Sequence, residues 1–166
     1  MILKNYWRWL CAEQTYGAQE PEVRSIGLIK TSGESTGILV GNKSSNSYSY
    51  QNTSFSEQLF VGFDSGDTAP TADDYALEND ITSSFSDITC SYAASVSDVF
   101  RKTFTITATN TTNAPLTINK IGIGKGFMYS YSMNYANCLL AIVELSNPIT
   151  VAAGDSFTVV CEWTES

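Results

Sequence analysis

The sequence predicts an all-β protein: an antiparallel two-sheet β-sandwich, jelly-roll or Ig-like, with one short helix and an N-terminal arm. Three observations lead there. Thr, Val, Ile, Tyr and Phe, which favour strands, are plentiful, while charged residues make up only 16% of the chain against about 25% in an average soluble protein. About seven to nine short apolar or alternating stretches are separated by Gly, Ser, Asn and Pro turn signals, the spacing of a sandwich. One stretch, Phe100 to Thr109, repeats with the period of two that marks a half-buried antiparallel strand. A chain of 166 residues can build one core without staples. The expected organisation is an arm at residues 1–25 and a sandwich domain at residues 26–166.

The arm stands out by composition. Tyr6, Trp7, Trp9 and Leu10 crowd into a few positions ahead of a polar patch that ends at Glu20, Pro21 and Glu22. Side chains this large bury much surface, so the arm should dock on a neighbouring subunit or fold back onto its own domain. Lys4, Asn5 and Arg8 interrupt Met1 to Leu10, which therefore lacks the unbroken apolar stretch of a secretory signal. Nor is there a run of about 20 apolar residues of the kind that crosses a membrane. A cytoplasmic protein is expected.

Along the domain, Ile26 to Ile29 and Ile38 to Val40 are short apolar stretches between Gly/Ser-rich turns, and Tyr48 and Tyr50 alternate with serine. Gln58 to Phe63 places Leu59, Val61 and Phe63 on one face of a strand and Phe60 on the other. Asp64 to Glu78 then combines turn formers with a helix start. Thr71 is positioned to cap a short helix with an acidic first turn, and Tyr75 and Leu77 would orient it. Because its acidic spacing does not match an EF-hand loop, cap and turn are expected there rather than calcium.

Phe104, Ile106 and Ala108 alternate against Lys102, Thr103, Thr105, Thr107 and Thr109. Asn110 to Pro115 reads as a turn, and the next strand carries Leu116, Ile118 and Ile121-Gly-Ile-Gly. Its glycines suggest a bulge or a close approach of backbone. Cys138 to Leu145 is nearly continuously apolar, as in a strand buried on both faces. Ala153-Gly154-Asp155 is a turn before a final strand through Phe157, Val159 and Cys161 to Trp163.

The chemistry available to the chain is narrow. A formal charge of −8 and no basic run argue against nucleic-acid binding, which needs clustered Lys and Arg. With no histidine, neither a Ser/His/Asp nor a Cys/His mechanism can be assembled within this chain. Asp64, Asp67, Asp73, Asp74 and Glu78 lie close in sequence, yet a glycosidase needs two carboxylates across a cleft. Cys11, Cys90, Cys138 and Cys161 are scattered without metal-ligand spacing and are expected as buried free thiols. The sequons at Asn42, Asn52 and Asn110 read as turns. Gly122, Gly124 and Gly126 lack the following helix of a phosphate site. Neither catalytic residues nor a metal or cofactor is expected.

Three pieces carry a resemblance. Val61 to Glu78 is similar to a glycine-rich turn that ends in a capped helix with an Asp-Tyr-x-Leu core. Phe104 to Ile123 resembles a strand, an Asn-containing turn and a strand ending in Ile-Gly, and Leu139 to Leu145 with Pro148 to Val159 looks like a closing strand pair around a Gly-Asp turn. In this order, over Val61 to Trp163, they resemble the β-sandwich of tailed-bacteriophage virion proteins of the head-decoration, head-fibre and tail-associated types. Lys120 and Ala141 depart from that pattern, which commonly has an acidic residue and an arginine there.

The resemblance implies a non-enzymatic subunit that assembles with other virion proteins, as a homo-oligomer, in the virion and, during assembly, in the host cytoplasm. The expected partner-binding residues are Tyr6, Trp7, Trp9 and Leu10 in the arm and Tyr129, Tyr131 and Tyr135 in the Phe127 to Tyr135 segment, which would share one face if extended. The competing expectation is a carbohydrate- or receptor-binding module that stacks those tyrosines on host glycan. The bland alternative is that both segments simply pack on their own domain.

Overall fold

The computed structural model of the chain describes residues 1–7, 22–40, 58–96, 100–128 and 135–165. Among the described residues there are eight strands: β1 (Glu22–Ile29), β2 (Ser35–Val40), β3 (Leu59–Asp64), β4 (Phe85–Val96), β5 (Phe100–Asn110), β6 (Leu116–Met128), β7 (Tyr135–Val151) and β8 (Ser156–Glu165). They form a two-stranded sheet β1-β2 and two three-stranded sheets of order β3-β6-β7 and β4-β5-β8. The pairs β1/β2, β4/β5 and β5/β8 are antiparallel. Among the described residues, helix occurs at residues 4–7 and as a 3-10 turn at Thr82–Ser84.

The chain divides into two compact units. Unit 1 comprises Met1–Phe60, Pro70–Ala76 and Ile123–Ile142, and unit 2 comprises Val61–Ala69, Leu77–Gly122 and Val143–Ser166.

In unit 2, β5 carries out the alternation read from its sequence. Phe104, Ile106 and Ala108 are buried while Thr103, Thr105, Thr107 and Thr109 are only half-buried. One residue departs from the expectation. Lys102 belongs by parity to the buried face, is 4% exposed, and sets its ammonium 5.0 Å from the ring centroid of Trp163, its cross-strand partner. An aromatic face accepts the charge where water is excluded. Phe63, Phe85 and Phe157 meet at centroid distances of 4.8 to 5.8 Å, edge-on or tilted as the ring quadrupole prefers. A bulge between Ser86 and Thr89, with Asp87 at φ 50°, shifts the β4/β5 register.

Asn110 ends β5 and has no exposed surface. Its Nδ2 donates to the carbonyls of Ala114 (2.9 Å), Val151 (3.1 Å) and Ala152 (3.1 Å). Its Oδ1 accepts from the Thr112 amide (2.9 Å) and hydroxyl (2.8 Å). One side chain thus closes both the 110–115 turn and the 151–155 turn, where Gly154 supplies φ 77°.

In unit 1, residues 1–3 add to the outer edge of β7. The Leu3 amide donates to the Leu140 carbonyl and the Ile142 amide to the Met1 carbonyl, both at 2.9 Å, and Ile2 bridges Ala141. Edge pairing explains why Cys138, Leu139, Leu140, Ala141 and Ile142 are all buried although β7 ends its three-stranded sheet. Gly124 on β6 answers the expectation of close approach: an added Cβ would lie 2.1 Å from Phe60 Cζ.

The short helix expected after Thr71 is a turn. Asp74 accepts from the Thr71 amide (2.9 Å) and hydroxyl (2.7 Å), and its own amide donates to the Thr71 carbonyl (3.2 Å), so a side-chain-closed turn forms there. The next turn does not propagate, because the Ala72 carbonyl accepts the Lys4 amide at 3.0 Å, occupying an acceptor that a helix would use.

Candidate interaction surface

Among the described residues, unit 1 holds four of the five exposed large apolar side chains, Met1, Trp7, Tyr75 and Tyr135, and unit 2 holds Val160. Trp7, Tyr75 and Tyr135 are 49%, 44% and 42% exposed. Of these, Tyr75 meets the turn between β1 and β2. That turn is closed by the Lys30 amide on the Glu34 carbonyl (2.8 Å) and the Gly33 amide on the Lys30 carbonyl (2.9 Å), with Gly33 at φ 85°. The Tyr75 ring covers Gly33, 3.2 Å from where a Cβ would stand. Asn137, two residues beyond Tyr135, accepts the Thr31 amide at 3.0 Å.

Asn5 fixes the third aromatic. It is 3% exposed, donates to the carbonyls of Ile29 (2.8 Å) and Leu139 (3.1 Å), and accepts the Ile29 amide (2.9 Å). Tyr6, buried at 1%, packs edge-on to Trp7 with centroids 5.3 Å apart. Asn5 and Tyr6 thus anchor residues 1–7 on their own unit and leave Trp7 outward. Charges of the same unit are paired: Lys4 with Asp73, and Lys30 with Glu34 at 3.0 Å.

Of the expected contact residues, Trp7 and Tyr135 are exposed and Tyr6 is core. Trp9, Leu10, Tyr129 and Tyr131 lie outside the described residues, as do Cys11, Asn42, Tyr48, Tyr50 and Asn52. Tyr75 was legible only as a helix-orienting residue. With the helix replaced by a turn, its ring reaches Gly33 instead, a contact between residues 42 positions apart that no local pattern announces.

Four of the five carboxylates of the 64–78 segment, all but Glu78, hold a structural partner among the described residues. Asp64, fully buried, accepts from the amides of Gly66 (2.7 Å) and Asn79 (2.8 Å) and faces the Lys120 ammonium at 3.2 Å. Asp67 accepts from Asn119 Nδ2 at 2.6 Å, Asp73 pairs with Lys4, and Asp74 holds Thr71. Among the described residues no three of His, Cys, Asp and Glu are grouped to hold a metal ion, and no helix is long and apolar enough to cross a membrane. Cys138 and Cys161 are buried free thiols and Cys90 is a half-buried one. Burial pushes the Cys138 thiol up to about 12, with nearby Lys30 pulling the other way.

Comparison with protein-family models, with curated proteins and with solved structures found no match to this chain.

Proposed function

We propose that this chain is a non-enzymatic structural subunit of a tailed-bacteriophage virion, a two-sheet β-sandwich of jelly-roll or Ig-like type that works by assembling with other capsid or tail subunits. The observation that carries the reading is that Trp7, Tyr75 and Tyr135, each above 40% exposed, all lie in unit 1. Single exposed apolar residues are ordinary, but exposed aromatics on hydrogen-bonded backbone are what protein interfaces use. The order of sequence pieces from Val61 to Trp163 supplies the phage assignment by resemblance. Mass spectrometry of purified particles from a phage carrying this gene tests it. The chain is expected as a stoichiometric component, and its absence from particles overturns the reading.

The same aromatics support a second reading, a carbohydrate- or receptor-binding module in which Tyr135 and Trp7 stack on sugar rings. A glycan array separates the two. Binding that is lost on Tyr135→Ala would favour the module, and no binding to any glycan would leave the subunit.

A further inference from the structure

Strand β7 ends its sheet, and its edge is protected differently along its length. Glu144 and Pro148 stand exposed in the stretch after Val143, and a charge and a proline are what edge strands carry against pairing with a neighbour. From Ala136 to Val143 the strand has neither. Cys138 to Val143, six apolar residues in a row, has the composition of a segment that pairs with copies of itself. There residues 1–3 fill the edge, through the Leu3 amide on the Leu140 carbonyl, the Ile142 amide on the Met1 carbonyl and the bridge of Ile2 to Ala141.

Asn5 holds that segment in place. Its side chain, 3% exposed, joins the backbones of Ile29 and Leu139 by three hydrogen bonds of 2.8 to 3.1 Å. The Lys4 amide adds a bond to the Ala72 carbonyl at 3.0 Å, and Leu3 and Tyr6 are buried at 0% and 1%. The Lys4–Asp73 ion pair is exposed and contributes little. All these residues belong to unit 1.

From this arrangement we infer that residues 1–7 are a detachable edge guard, latched by Asn5, that keeps the apolar stretch of β7 from pairing with other strands. An element held by few bonds along one edge opens at a lower free energy than the whole fold. The guard therefore lets go while β7 keeps its bonds to β6. Opening bares N–H and C=O groups on a stretch that has no charge to repel a partner. In a solution of this chain alone, the strand that meets such an edge belongs to another opened copy, and two identical edges pair antiparallel about a two-fold axis.

A disulfide lock tests the guard on the full chain. Ile2 and Ala141 face one another between the flanking hydrogen bonds, the close pair of an antiparallel ladder with Cα atoms about 4.5 Å apart, which a disulfide can span. The triple variant Ile2→Cys/Asn5→Ala/Ala141→Cys is folded oxidised, which closes the guard even without its latch, and is then released with a reductant. Peptide mapping confirms the engineered bond. Release is expected to speed hydrogen exchange of the Ile142 amide by roughly tenfold or more as buried hydrogen bonds are lost, while the Ala141 amide, on the other side of the strand, stays slow. In sedimentation velocity the reduced variant should form more oligomer than the oxidised variant or wild type at each concentration. An Ile142 amide that stays protected after reduction overturns the latch. Equal quickening at Ala141 and Ile142 also overturns the inference, because the whole strand then opens with the segment. A released chain that sediments like the oxidised one does so too, because there was then no pairing to prevent.

Discussion

The Lys120 ammonium lies 3.2 Å from Asp64 Oδ1, with the two side chains 5% and 0% exposed, and donates at 2.8 Å to the Thr68 carbonyl. The pair joins the middle of β6 to the end of β3, and the other bonds to Asp64 hold the following loop at Gly66 and Asn79. Removing one partner from a buried pair strands the other, at a cost of about 3–5 kcal/mol. Lys120→Met is therefore expected to lower stability in urea unfolding by that order. In the double variant Lys120→Met/Asp64→Asn the loss should be clearly smaller than the sum of the single losses, because no charge is left alone. Additive single losses would show that the two groups are not coupled.

Asn110 makes the sharper case for a polar side chain as a fastener. Its amide meets three carbonyl oxygens, which need donors. Asn110→Ala is expected to cost about 2–4 kcal/mol, from several lost bonds and unsatisfied carbonyls. Asn110→Asp keeps the shape but turns an acceptor toward acceptors, and should be no better than alanine at neutral pH. Urea midpoints of the two variants check this, and an Asp variant close to wild type would refute the account. Hydrogen exchange should quicken at Gly154, whose amide donates to the Asn110 carbonyl at 3.1 Å.

The β5 strand was legible because a half-exposed antiparallel strand repeats every two residues, and Phe104, Ile106 and Ala108 keep that period without a break. The same rule misfiled Lys102. Its charge suggested the wet face, whereas parity sets the face and the Trp163 ring makes the burial tolerable. The glycines of β6 announced close approach, and Phe60 against Gly124 is where it occurs. What sequence could not show are partnerships set by tertiary distance. Lys120 stood out only as a departure from a pattern, with no hint that Asp64, 56 positions earlier, is its partner. Thr71 and Asp74 carry correct capping chemistry, but a helix also needs free acceptors in its next turn, and the Lys4 amide takes one. The meeting of the Tyr75 ring with Gly33 is likewise a contact between remote segments.

The Phe60 contact gives a prediction whose sign depends on the ring. A Cβ at Gly124 would lie 2.1 to 2.7 Å from three atoms of the Phe60 ring, closer than packed atoms come, so Gly124→Ala must push the ring aside. Phe60 is only half-buried, so the ring can move and the expected loss is about 1–2 kcal/mol rather than unfolding. In a Phe60→Ala background the same substitution should cost little. A double-mutant cycle by urea unfolding measures this, and an equal cost in both backgrounds would mean that something other than the ring resists the methyl.

The thiols make stability fall on the alkaline side. Burial pushes Cys138 up to about 12, with Lys30 opposing. Burial also raises Cys90 and Cys161, with the neighbouring Cys90 adding to the shift of Cys161. In the unfolded chain these groups lose their protons near 9.0. Above that pH the unfolded state binds fewer protons than the folded one, so the stability that the raised thiols contribute is complete below about pH 9 and declines as pH rises further. For Cys138 the decline continues to about pH 12, at up to about 1.4 kcal/mol per pH unit for a single group. Cys138→Ala removes that share, so its stability should fall less steeply than wild type between pH 9 and the onset of unfolding, even though the cavity lowers its value at neutral pH. Parallel slopes for the two proteins would mean that Cys138 ionises in the folded state as it does in the unfolded one. Alkylation supplies an independent readout: at pH 9 the native protein should leave Cys138 unmodified by iodoacetamide, and the urea-unfolded chain should label it quickly.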